Sequence, residues 1–154
     1  MKVKNKAMVA GVLAGAAAMT VLGTGVAQAA DPQWPSANYQ LCGNVRDSGG
    51  AGVGGVSISG DLYDPTVSST VPVASYPIPP ATITTAADGG YCLQGASSLV
   101  NVIQNNGGWV KLHGTKAGTP VNFGTWESSG IYLSDFFSQW AFPLQSAYGF
   151  DGVY

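Results

Sequence analysis

Few residues of this chain can do acid–base or nucleophilic chemistry. His113 is the only histidine and Glu127 the only glutamate. Glu127 and Asp135 would serve as paired glycosidase carboxylates if a fold held them roughly 5–9 Å apart across a cleft. His113 would act as a base only beside a nucleophile or an orienting carboxylate, and Ser134, Asp135 and Glu127 are the candidates. No G-x-S-x-G turn exists to raise a serine out of a strand. A lone histidine without a motif reads as an ordinary surface residue, so no catalytic site and no enzyme activity are expected. Asp47, Asp61 and Asp64 could share a calcium ion, which takes about six to eight oxygens. Turn formation accounts for the same aspartates more simply. Neither a metal nor a cofactor is expected.

The other residues with recognition chemistry are aromatic. Twelve of the sixteen aromatics fall at or after Tyr91. Most must fill a core, because few other large apolar residues are available there. Trp126, Tyr132 and Trp140 are the speculative exception: with Trp109 in reach, they could form a platform on which a sugar or a protein partner stacks.

These residues must be positioned by a small domain. Lys2, Lys4 and Lys6 precede an Ala/Gly-rich apolar run, and Ala27-Gln28-Ala29 supplies small residues where a signal peptidase reads. Residues 1–29 are therefore expected to be a removed signal peptide and the protein to be secreted. Residues 30–40 form a polar leader and 41–154 a single domain. After cleavage, three cations (Arg46, Lys111, Lys116) stand against eight acids, a formal charge of −5. So few cations cannot neutralise a row of phosphates, which excludes nucleic acid, and an anionic membrane is an equally poor partner. No second long apolar run follows, so no membrane insertion is expected after signal removal. The expected partner is an unknown extracellular protein or a glycan.

Two cysteines in a secreted chain imply one bridge, Cys42–Cys92. The strand Tyr39–Arg46 alternates, with Leu41 and Val45 on one face and Cys42 and Asn44 on the other. Tyr91 and Leu93 share a face opposite Cys92. With Val45, Tyr91 and Leu93 inward, both cysteines point outward and bridge adjacent antiparallel strands near 5.5 Å apart. Further strands are expected over Val53–Ser59, Val71–Tyr76, Ala81–Ala86 and Trp109–His113, the last with Trp109, Lys111 and His113 on one face. Pro72, Pro77, Pro79 and Pro80 confine their segment to a sheet edge. Ala96–Asn106 reads as the one short helix, capped by Ser97 or Ser98 and stopped at Gly107. Gly114–Pro120 reads as a loop, and two or three short strands should follow Val121. The sum is a mainly β chain: a small antiparallel β-sandwich of transthyretin or immunoglobulin type with one helix near 97–105 and one disulfide.

Two motifs carry a resemblance. Gly43, Val45, Asp47, Gly50, Gly52, Val53, Gly55, Val56 and Ile58 follow the pattern G-x-V-x-D-x-x-G-x-P-V-x-G-V-x-V, with Gly52 in place of proline. Thr84, Thr85, Asp88, Gly89, Tyr91 and Leu93 follow T-T-x-x-D-G-x-Y-x-L. Residues 41–95 thus resemble the carboxypeptidase regulatory-like family, close to Cna-B-like and transthyretin-like (prealbumin-like) modules. The resemblance implies a β-sandwich that serves as a stalk, surface repeat, adhesion part or accessory domain without catalytic residues. The helix after Leu93 and the long segment from Gly60 to Pro80 depart from the pattern. The expected function is therefore non-enzymatic: binding, or a structural part of the cell surface or extracellular matrix. The alternatives are a carbohydrate-binding module with an aromatic platform and a small secreted hydrolase.

Overall fold

The computed structural model describes residues 32–77, 80 and 82–154. The expected signal segment lies outside the described residues. The strands are β1 Gln40–Arg46, β2 Ser57–Tyr63, β3 Ala74–Tyr76, β4 Ile83–Thr84, β5 Gly90–Gln94, β6 Trp109–Lys116, β7 Thr119–Pro120, β8 Trp140–Ala141, β9 Ser146–Ala147 and β10 Gly152–Val153. The helices are α1 Ser97–Asn106, α2 Thr125–Ser128 and α3 Leu133–Ser138. The fold is thus mainly β, in two sheets facing each other across one core.

β1 organises the first sheet. It pairs antiparallel with β5 along one edge, and parallel with the short β9 and β10 along the other. β8 adds antiparallel to β9. β2 organises the second sheet, bonded over its whole length to β6 and on its other edge to β3 and β4. β7 extends β6 through a tight turn. Alternation in β1, β5, β2 and β6 sends Leu41, Val45, Tyr91, Leu93, Ile58, Leu62, Val110 and Leu112 into one shared core. Tyr76, Phe136 and Phe150 are its largest fully buried side chains.

The two motifs meet as backbone against backbone. Val45 N–H donates to Gly89 O at 2.9 Å, and Val53 N–H to Val45 O at 2.8 Å. A Cβ on Gly52 would sit 1.9 Å from Asp88 O, so only glycine lets the opening turn lie against the Asp-Gly turn. Thr85 ties the same corner from a buried position. Its Oγ1 accepts from Val56 N–H at 3.0 Å and donates to Val53 O at 2.8 Å.

The Cys42–Cys92 disulfide is present, with Val45, Tyr91 and Leu93 buried as the parity of the strands requires. Two details differ from expectation. The Cα atoms are 4.1 Å apart, closer than 5.5 Å, because the cysteines are a non-hydrogen-bonded pair. Accordingly, Cys42 O faces away from β5 and accepts from Phe150 N–H at 3.3 Å. Cys42 is also fully buried, although it faces away from the core. The described part of the leader covers that face. Gln33 N–H donates to the buried Asn44 Oδ1 at 3.0 Å, and Trp34 rests on Tyr148 with ring centroids 4.0 Å apart.

Boundaries shift where glycine or proline interrupts a pattern. β2 starts at Ser57 instead of Val53, after Gly55 turns the chain at φ +77°, and it runs on through Tyr63 because Gly60 and Leu62 continue the inward parity. The edge strands shrink to β3 and β4 beside the proline-rich segment. β6 extends to Lys116 and turns back into β7, where a loop was expected. α1 forms, with Val100 and Ile103 buried and Gly107 as a left-handed cap, but neither serine caps its start: the N-cap is Ala96, with no side-chain bond. The largest departure lies beyond Val121, where two short helices join the expected strands. Asn122 Oδ1 accepts from Gly124 N–H at 2.7 Å ahead of α2, and Asp135 Oδ2 accepts from Tyr132 N–H at 2.8 Å at the start of α3.

Candidate functional site

The outer face of the second sheet gathers the chain's most varied side chains. Ile58, Leu62, Val110 and Leu112 turn inward, so Ser57, Ser59, Asp61 and Tyr63 of β2 and Trp109, Lys111, His113 and Thr115 of β6 must turn outward. The β2–β6 register pairs them as Tyr63 with Trp109, Asp61 with Lys111, Ser59 with His113 and Ser57 with Thr115. Chemistry thus changes in rows along the strands, from aromatic through charged to hydroxyl-bearing, over about 20 Å at about 3.4 Å per residue.

The aromatic row draws on β2, β6 and a third, shorter segment. A bridge between Val110 and Ile131 lays the 130–132 segment against β6 and brings Tyr132 opposite Trp109. Tyr63 and Trp109 stack with centroids 5.5 Å apart and planes within 5°. Trp109 and Tyr132 stack at 5.4 Å and 27°. Such pairs contribute about 0.5–1.5 kcal/mol each beyond their burial. Gly130 makes room: its Cβ would lie 2.5 Å from Trp109 Cδ1, and its φ of +101° favours glycine. Tyr132 ends the row and is 39% exposed. At the other end, Lys111 Nζ lies 5.5 Å from the centre of the Tyr63 ring, a cation–π contact.

Below it, His113 Nε2 lies 3.1 Å from Asp61 Oδ2, both side chains more than a third exposed. Beside this pair is a shallow hollow of about 150 Å³ lined by Ser57, Ser59, Thr82, His113, Gly114 and Thr115. Serine, histidine and aspartate therefore meet here, but on flat sheet. Ser57 begins β2 opposite Thr84 and Thr115, and Ser59 follows it opposite His113. The arrangement can bind polar groups through hydroxyl, imidazole and carboxylate side chains.

The three aromatics singled out by sequence rest against different rings. Tyr132 joins the stack just described. Trp126 is half-buried edge-on to Phe150 at 5.3 Å, and Trp140 is half-buried between Phe136 and Phe137, at 6.3 and 5.8 Å. Of the two carboxylates suggested for catalysis, Glu127 and Asp135, the second caps α3. His113 takes Asp61 as its partner, not Asp135 or Glu127. Asp47, Asp61 and Asp64 serve separate places. Asp47 Oδ1 accepts from Gly49 and Ala51 N–H within its own turn, and Asp64 holds Thr66 and the Asn106 amide. No group of three or more metal-ligating side chains occurs among the described residues.

Sequence reading had Trp109, Lys111 and His113 on one face but missed Tyr63 and Asp61. The signal was available in the alternation Val56, Ile58, Gly60, Leu62, which carries β2 past the glycine where it seemed to end. Comparison with protein-family models, curated proteins and solved structures finds no match to this chain.

Proposed function

We propose that this is a secreted, non-enzymatic binding module that works through the outer face of its second sheet. The observation that carries the reading is the register of β2 and β6. It sets three stacked rings, a His–Asp pair and a hydroxyl-lined hollow side by side on a face the core does not need. A disulfide suits an oxidising compartment, and no helix among the described residues is long and apolar enough to cross a membrane. Membership of the carboxypeptidase regulatory-like group is part of the proposal, resting on the two motifs. The experiment is secretion of the full chain from a host that cleaves signal peptides. The product should begin at Ala30 by intact mass and bind extracellular matrix or cell-wall material. Alanine at Tyr132 or His113 should weaken that retention while the far-UV spectrum stays that of the folded β protein. Equal retention by those variants would remove the face from the function.

A further inference from the structure

We infer that the ligand of this face is a neutral oligosaccharide lying along β2 and β6, which rests on the binding reading above and names its ligand class. A pyranose offers two kinds of surface, an apolar patch of C–H groups and a rim of hydroxyls. The face provides for both, in order. At one end the aromatic row stops at Tyr132, exposed beyond its contact with Trp109. A sugar stacked on that ring would place its C–H patch on the electron-rich face of an aromatic.

At the other end, Asp61 accepts hydrogen bonds, while His113 and the hydroxyls of Ser57, Ser59, Thr82 and Thr115 both donate and accept. Neutral hydroxyls need such two-way partners. A strip of about 20 Å between these ends suits several sugar units in line rather than one. The hollow is too shallow to enclose a compact ligand, which also favours a chain lying across it.

Charge narrows the class. Lys111 is the one cation on these rows, and its ammonium is engaged over Tyr63, while Asp61, its register partner, contributes the opposite charge. The mature chain is acidic overall. An anionic polysaccharide would meet repulsion without the guanidinium forks that recognise carboxylate or sulfate, because Arg46 pairs with Asp151 on the first sheet. A protein partner would seek a rigid aromatic anchor entering a pocket, whereas these rings are stacked on one another.

The test is a titration of the disulfide-intact protein, followed by amide NMR, with cellohexaose, xylohexaose, mannohexaose and chitohexaose, and with an oligogalacturonate as the anionic probe. At least one neutral hexasaccharide should shift the amides of Tyr63, Trp109, Lys111, His113 and Tyr132. Tyr132→Ala and His113→Ala should each weaken that binding roughly tenfold. Tyr132→Phe should restore it, and Phe142→Ala, at an exposed position outside the face, should leave it unchanged. If no neutral sugar shifts these amides, or the oligogalacturonate alone does, the inference falls. Loss of matrix retention in the Tyr132 and His113 variants would then still uphold the binding face with another ligand class. Retention unaffected by those variants would remove both.

Discussion

At the residue scale, a few buried polar atoms fix the corner where the two motifs meet. Thr85 Oγ1 satisfies a donor and an acceptor at once, Val56 N–H and Val53 O. Thr85→Val keeps the shape and removes both bonds, so it should cost about 1–3 kcal/mol in urea unfolding. Thr85→Ser should recover most of that loss. Two buried phenols set a limit at high pH. Burial pushes the Tyr76 hydroxyl well above its ordinary range, and burial with the Asp151 charge does the same for Tyr91. Both hydroxyls donate to backbone carbonyls, Tyr76 to Tyr39 O at 2.5 Å and Tyr91 to Phe150 O. A phenol whose folded pKa is raised contributes stability present below its unfolded pKa of about 10, and that stability is lost as pH climbs beyond it. The melting temperature should therefore hold level from neutral pH to about 10 and fall above it. Tyr76→Phe should melt lower at pH 7 yet lose less on going to alkaline pH, which a pH series of thermal melts will read.

Elements explain both what the sequence disclosed and what it hid. β1, β5 and the core of β2 were legible because one face of each is apolar at period two, and because the turns between them hold Asp and Gly. The inward set Val45, Tyr91 and Leu93 followed from parity alone. Burial of Cys42 did not, because it depends on a leader with no periodic pattern that lies over the strand only in three dimensions. The helices α2 and α3 were hidden for a related reason. They span four and six residues, too short for a periodicity to register, and their signals are single capping residues, Asn122 and Asp135. The aromatic row escaped detection because its members come from three separate segments, joined by a register that no spacing within one segment reveals. Gly130 is the element-level test of that row. Gly130→Ala forces a Cβ against Trp109 Cδ1 at an unfavourable φ, and should cost about 1–3 kcal/mol. Near-UV circular dichroism should lose the signal of coupled rings in that variant, while the far-UV spectrum stays that of a β protein.

For the molecule as a whole, the leader and the disulfide act as one closure. Gln33, Trp34 and Ala37 reach across β1 to Asn44, Tyr148 and Ser146 respectively, so the leader clamps the first sheet from outside. The bridge closes a sequence separation of 50, worth about 4 kcal/mol by the chain-entropy account. A chain begun at Asn38 should fold but expose the bridge. Alkylation and intact mass after mild reductant should find its thiols free where a chain begun at Ala30 stays oxidised. Equal resistance in both chains would show that the covering does not protect the bridge.

The topology of β1 also dictates an order of assembly. β1 is the earliest strand of the domain, yet its second edge is filled from the far end of the chain. Gln40 N–H donates to Ser146 Oγ and Asn44 N–H to Asp151 Oδ1, while Arg46 O accepts from Tyr154 N–H. Contacts so distant in sequence make for slow folding, since the chain must close its longest loops before they are rewarded. Until the last residues arrive, β1 presents an open edge of unpaired N–H and C=O groups, able to template another strand. A nascent or clipped chain lacking β9 and β10 is thus the form most prone to pair with its own copies, and the folded protein is protected from this only once those strands have docked on β1.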